Sequence, residues 1–169
     1  MRDADRLGLL ERVRRESLEL SIPSIDPSDG AALYTAAYTL ALIARGGVVA
    51  VDAGAGIGYS TLWIALGLAD AGCSGCTVYA VERDPLLAAR ARRVLGGTTW
   101  PRGLRVEVVE GDALGHLAGL PRADLVFVDV EKELYPRSVE LVEEKLGEPG
   151  VVMWHNAYFP PPPAGSLSG

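Results

Sequence analysis

Three glycines at alternate positions, Gly54, Gly56 and Gly58, follow an acid, Asp52, and precede a hydroxyl pair, Ser60 and Thr61. Glycine at this spacing lets the chain turn sharply and lets a ligand approach the main chain, because no β-carbon blocks positive φ or the approach. With Ala53 and Tyr59 in the same segment, this reads as a loop for a nucleotide-type cofactor. A second acid, Glu82, closes the apolar run Thr77-Val78-Tyr79-Ala80-Val81 and is followed by Arg83. A carboxylate there can accept hydrogen bonds from both hydroxyls of a ribose. The dinucleotide pattern G-x-G-x-x-G needs glycine where Tyr59 stands, which argues against NAD. Asp112 with Ala113, then Asp129, then His155 with Asn156 follow three further apolar runs, and each is a polar stop after buried-looking sequence.

The elements that must position these groups are legible as alternating strands and helices. Val48-Val49-Ala50-Val51 suits a parallel strand covered on both faces, and Ser60 to Leu66 shifts to helical spacing. Strands follow from Thr77, over Leu104 to Glu110, over Ala123 to Asp129 and over Gly150 to His155, with helices from Pro85 to Leu95 and up to Leu146. Such alternation implies an α/β fold, a doubly wound, Rossmann-like parallel sheet. Ligands in these sheets bind at the carboxyl ends of the strands, so the five polar stops are expected on one rim. Asp52 and Asp112 also suit plain helix caps or turn residues, as acids after strands often are.

At these residues the chain resembles class I S-adenosylmethionine-dependent methyltransferases, and more narrowly the catechol and caffeoyl-CoA type O-methyltransferases. Their loop reads roughly E-x-G-x-x-x-G-Y-S-T, matched by Asp52, Gly54, Gly58, Tyr59, Ser60 and Thr61. The likeness continues through Glu82, Gly111-Asp112-Ala113-Leu114 and Phe127-Val128-Asp129-Val130-Glu131-Lys132-Glu133-Leu134-Tyr135, similar to F-V-D-A-D-K-x-x-Y. It implies that Asp52, Ala53 and the loop through Ser60 hold the methionine end of S-adenosylmethionine. It further places Glu82 and Arg83 at the ribose, Asp112 and Ala113 at the adenine, and Asp129 beside the reacting groups. The implied reaction is methyl transfer to a small hydroxylated, catechol-like acceptor.

In the resembled family a divalent cation lowers the acceptor's pKa, and its ligands correspond here to Asp129, His155 and Asn156. His155 stands where the family has an acid, which adds a nitrogen ligand, disfavours Mg²⁺ or Ca²⁺ and favours Zn²⁺ or Mn²⁺. His155 also suits a metal-free general base or a structural residue at a strand end. Lys132 matches a lysine that would stabilise a developing phenolate, and it also suits a solvated residue between Glu131 and Glu133. The sheet of the family continues into an antiparallel hairpin. Here only Ala157-Tyr158-Phe159 and a Pro/Gly/Ser tail follow Asn156, so five strands in the order 3-2-1-4-5 are expected, the last an open edge suited to a homodimer.

With 169 residues, 49% of them hydrophobic, one domain is expected: N-terminal helices over 1–47, an α/β core over 48–156 and a Pro-rich tail over 157–169. The net charge of −6 argues against nucleic acid as a partner. No apolar run suits a membrane span, and the charged start is not a signal peptide, so a cytoplasmic protein is expected. Cys73 and Cys76 fit loop thiols or a local disulfide better than a redox or zinc pair. Leu7, Leu10, Arg14 and Leu18 mark one face of a first helix expected to be a cap or oligomer contact rather than core. Ser28-Asp29-Gly30 opens a second helix running through Ile43. Alternative functions are a catalytically silent cofactor-binding or regulatory subunit, and methyl transfer to protein or nucleic acid.

Overall fold

The central strand β1 (Val49–Ala53) is flanked on one side by β2 (Cys76–Glu82) and β3 (Leu104–Glu110) and on the other by β4 (Ala123–Val128) and β5 (Leu146–Trp154). Every neighbouring pair is parallel, and the order is the expected 3-2-1-4-5. The structure is a computed structural model that describes residues 3–156, so the Pro-rich tail and the strandless carboxyl end read from it lie outside the described residues.

Strand side chains alternate between two faces, and each face has its own core. Ala50, Val78, Ala80, Leu125 and Phe127 point to the face covered by α1 (Asp3–Glu19), α2 (Pro27–Ile43), α3 (Tyr59–Asp70) and α4 (Pro85–Gly96). Val51, Ala53, Val81, Val126 and Val128 point to the other, covered by α5 (Ala113–Gly119) and α6 (Tyr135–Lys145). α2 lies tight against α3 because Gly30 carries no side chain: a β-carbon there would come within 2.3 Å of the Trp63 ring.

Three details differ from the sequence reading. α1 is not merely a cap, since Leu9, Leu10 and Val13 are buried in the main core while Leu7 and Leu18 face solvent. The stripe that packs is offset from the one read, because Leu9 and Val13 continue through Ser17 rather than Leu18. The short helix α5, between β3 and β4, was not anticipated; two glycines in seven residues weaken its periodicity, and its stability comes from burying Ala113, Leu114 and Leu117. β5 begins at Leu146 rather than Gly150, and its register against β4 shifts between Ala123 and Leu125. Pro149, which has no N–H to donate, lies in the irregular stretch. Cys73 and Cys76 form a disulfide at the start of β2.

Candidate active site

Because all five strands run the same way, their carboxyl ends share one rim, and the polar residue after each apolar strand is delivered there. The turn after β1 is held by two amides, of Gly54 and Ala55, that donate to the Val81 carbonyl at 3.0 Å. Gly54 has φ +97°, and a β-carbon on it would lie 2.2 Å from the Asp129 carbonyl. Its glycine therefore serves the close approach of the β4 end as well as the turn. Gly58, at φ +93°, caps α3 and sets the direction in which that helix leaves the rim.

Glu82 sits almost wholly buried at the end of β2, with Oε2 accepting from the Gly56 amide at 2.8 Å and Oε1 from the Asp84 amide at 2.9 Å. Each oxygen keeps a further lone pair for a ligand. Asp112 caps α5, its Oδ2 accepting from the Gly115 amide at 2.7 Å. Glu82, Arg83, Gly54, Gly56, Asp112, Ala113 and Asp129 all border a cavity of about 360 Å³. Arg83 forms an ion pair with Glu131, and both border that cavity. A smaller chamber joins Tyr59, Ser60, Asp129 and the connector residues Ile22, Pro23 and Ser24. Larger grooves lie elsewhere, one of about 590 Å³ between α1 and α4, but they do not meet the strand ends.

Of the expected cofactor residues, Tyr59 and Ser60 border only the smaller chamber, and Asp52, Ala53 and Gly58 border neither it nor the cavity. Asp52 is completely buried and accepts hydrogen bonds from Ser60 Oγ, at 2.7 Å, and Thr61 Oγ1. Its Oδ1 has no partner, and burial, with smaller contributions from Asp129 and Glu82, pushes its carboxyl up to about 6 against the two hydroxyl bonds. Ala53 is also buried, its carbonyl accepting from the Asp129 amide at 2.8 Å. Both act on the loop from beneath. Lys132 opens a single 3-10 turn (Lys132–Leu134), is exposed, and borders neither the cavity nor the chamber.

Asp129 and His155 are brought together. The His155 amide donates to the Val128 carbonyl at 3.0 Å, continuing the β4–β5 ladder one residue past the end of β5. From α6, Tyr135 Oη donates to the His155 carbonyl, and Ser138 Oγ accepts from Trp154 Nε1 at 2.9 Å. Burial, reinforced by Asp129, raises the Tyr135 phenol and keeps it a neutral donor. His155 Nδ1 then lies 3.1 Å from Asp129 Oδ1 and 3.4 Å from the Asn156 side-chain amide, while Nε2 lies 3.6 Å from Asp29 Oδ2. Asn156 adopts φ +52°, a conformation asparagine tolerates better than most residues.

The donor set fits a divalent ion. Two metal bonds of about 2.1 Å at tetrahedral or right angles leave their ends roughly 3.0–3.4 Å apart, the range of these separations. Turning the Asn156 amide by half a revolution presents its oxygen. Among the described residues no three His, Cys, Asp or Glu side chains converge on one point, so the amide is needed as third donor. Sequence reasoning missed Asp29 and Ser24. Asp29 read as a helix-start residue, and it does accept from the Asp26 amide at 3.3 Å. Ser24 lies in an extended connector, and its Oγ is buried without a partner beside the chamber.

Residues 51–157, more than half of the chain, match the model of a protein family described as a methyltransferase domain. No curated protein sequence matches. Among solved structures, the O-methyltransferase from Bacillus cereus in complex with SAH is 24% identical, with a TM-score of 0.64 over 83% of this chain and 62% of its own. A methyltransferase from Geobacter sulfurreducens is 23% identical, with a TM-score of 0.70 over 90% of this chain and 73% of its own. The O-methyltransferase TomG from Streptomyces achromogenes, involved in tomaymycin synthesis and solved with SAM, is 22% identical, with a TM-score of 0.66 over 86% of this chain and 64% of its own. At these identities the likeness establishes the fold. The chain spans under two thirds of the length of the Bacillus protein.

Proposed function

Since this chain belongs to the methyltransferase-domain family, we propose that it transfers a methyl group from S-adenosylmethionine to the hydroxyl oxygen of a small, catechol-like acceptor. The observation that carries this reading is the meeting of the Gly54–Gly58 turn, Glu82 and Asp112 around one cavity, with Asp129 and His155 on the same rim. The cofactor supplies an electrophilic methyl group on a sulfonium. Glu82, fixed by two backbone amides, has lone pairs left for ribose hydroxyls, and Asp112 has an oxygen left for the adenine amino group. Ser60 and Ser24 lie beside the Gly54–Gly58 loop, and Asp52 works through Ser60 and Thr61 as a positioning residue.

Methyl transfer is an in-line displacement, so the protein's task is alignment and exposure of the acceptor as an oxyanion. A divalent ion held by Asp129, His155 and Asn156 would lower the hydroxyl pKa. Asp129 and His155 stand beside the cofactor cavity and face each other, so the acceptor oxygen and its proton are handled between a carboxylate and an imidazole. Tyr135 stays neutral and holds the His155 backbone. Lys132 is exposed, and the reading does not depend on it.

Calorimetric titration with S-adenosylmethionine and with NAD tests the first half; binding of NAD alone overturns it. Catechol turnover with and without EDTA tests the second. Cofactor binding with no turnover of hydroxylated acceptors would assign the chain to a regulatory role instead.

A further inference from the structure

We infer that the groove between α1 and α4 is a second ligand site, one for a small phosphate monoester with an apolar body, separate from the cavity at the strand ends. The groove measures about 590 Å³, within the usual size of small-molecule sites. Its floor is apolar: Leu9 and Val13 of α1 are buried there, and Val94 of α4 is half-buried beside them. Its walls carry Arg12 and Arg93, whose guanidinium groups have no hydrogen-bond or ion-pair partner among the described residues.

The register of the two helices brings these arginines together. α4 starts at the rim, just after Glu82, and runs away from it, whereas α1 ends at the rim, where Ser17 borders the small chamber. The helices are therefore antiparallel. Arg90 Nη1 of α4 donates to Glu16 Oε1 of α1 at 2.9 Å, which fixes the level at which they face each other. Arg12 lies four residues before Glu16 and Arg93 three residues after Arg90, so each stands about one turn from that pair, on the same side of it. Glu16 is engaged by Arg90, and Asp5, the other acid on the groove, lies about two turns farther along α1. Two cations thus face one level of the groove without a carboxylate between them. An anion that bridges them relieves the repulsion, and guanidinium forks match the terminal oxygens of a phosphate. A phosphate monoester carries nearly two negative charges at neutral pH, where a carboxylate carries one, and so matches the pair in charge. The whole chain, at −6, repels anions, so only a local arrangement of this kind holds one. The apolar floor adds a demand that inorganic phosphate does not meet.

The test is calorimetric titration of the full chain with phenyl phosphate, inorganic phosphate, benzoate and phenol. Phenyl phosphate is expected to bind one to one, about tenfold or more tighter than each of the others, because only it meets both the paired charges and the apolar floor. Arg12→Gln and Arg93→Gln should each weaken it by about tenfold or more, the loss of a charge-assisted hydrogen bond. Both side chains are exposed, so the melting temperature should not change. Arg15→Gln removes the same charge from an exposed position of α1 outside the groove and should leave the affinity as it is. Saturation with S-adenosylmethionine should not displace phenyl phosphate. No binding of phenyl phosphate, benzoate binding as tightly, equal affinity in the two groove variants and the wild type, or displacement by S-adenosylmethionine overturns the inference. Failure of the chain to bind S-adenosylmethionine would sink the methyltransferase reading alone, since the groove variants test this site without it.

Discussion

Asp52 is a wholly buried carboxyl whose protonation bears on the stability of the fold. Its folded pKa of about 6 lies above its ordinary 3.8, so folding favours the protonated form. Its contribution to stability is complete below about pH 4 and is lost as the pH rises through 6, a change on the order of 3 kcal/mol. The wild type should therefore lose melting temperature relative to Asp52→Asn between pH 4 and pH 7; parallel curves for the two proteins would refute this. At the rim, Asp129→Ala and His155→Ala should each lower kcat by about 10²-fold or more. Lys132→Ala should change it little, because that side chain is exposed and away from the cavity. Steady-state rates with a catechol acceptor separate the three.

Among the elements, the β1–α3 turn and α6 carry the demands of the site. Alanine at position 54 would have to take φ +97° with its β-carbon 2.2 Å from the Asp129 carbonyl. The conformational strain alone is about 1–3 kcal/mol. Gly54→Ala should thus lower the urea midpoint and displace Asp129 together. Ser138 is wholly buried in α6 and is the partner of Trp154 Nε1. Ser138→Ala leaves that indole unpaired, at a cost of about 1–3 kcal/mol. The expected result is a lower melting temperature and a lower kcat, since His155 is the next residue, with cofactor affinity retained. A Ser138→Ala protein that melts and turns over like the wild type would show that α6 does not hold the β5 end.

For the molecule as a whole, a ligand that binds only the folded form at a hundred times its Kd stabilises by about 2.7 kcal/mol. S-adenosylmethionine at that excess should raise the melting temperature by roughly 5–11 °C for a chain of this size. Among the described residues β5 pairs only with β4, and Leu42 and Ile43 of α2 are exposed. The homodimer expected through this edge predicts a dimeric mass by light scattering, which a charged substitution of the outward-facing strand would reduce to a monomer. No helix among the described residues is long and apolar enough to cross a membrane.

The chain's own order of residues determined the kinds of elements, their succession and the rim of polar stops, because hydrophobic periodicity and glycine turns are local properties. Gly54 to Gly58, Glu82, Asp112 and Asp129 were readable for that reason. Only the tertiary structure decided that Asp52 and Ala53 lie beneath the loop rather than on the cavity wall. It also decided that Leu9, Leu10 and Val13 join the core, and that Asp29 faces His155 from the far end of the chain. Burial and through-space pairing arise when separate elements pack, and no spacing along one strand or helix records which distant side chain will arrive opposite.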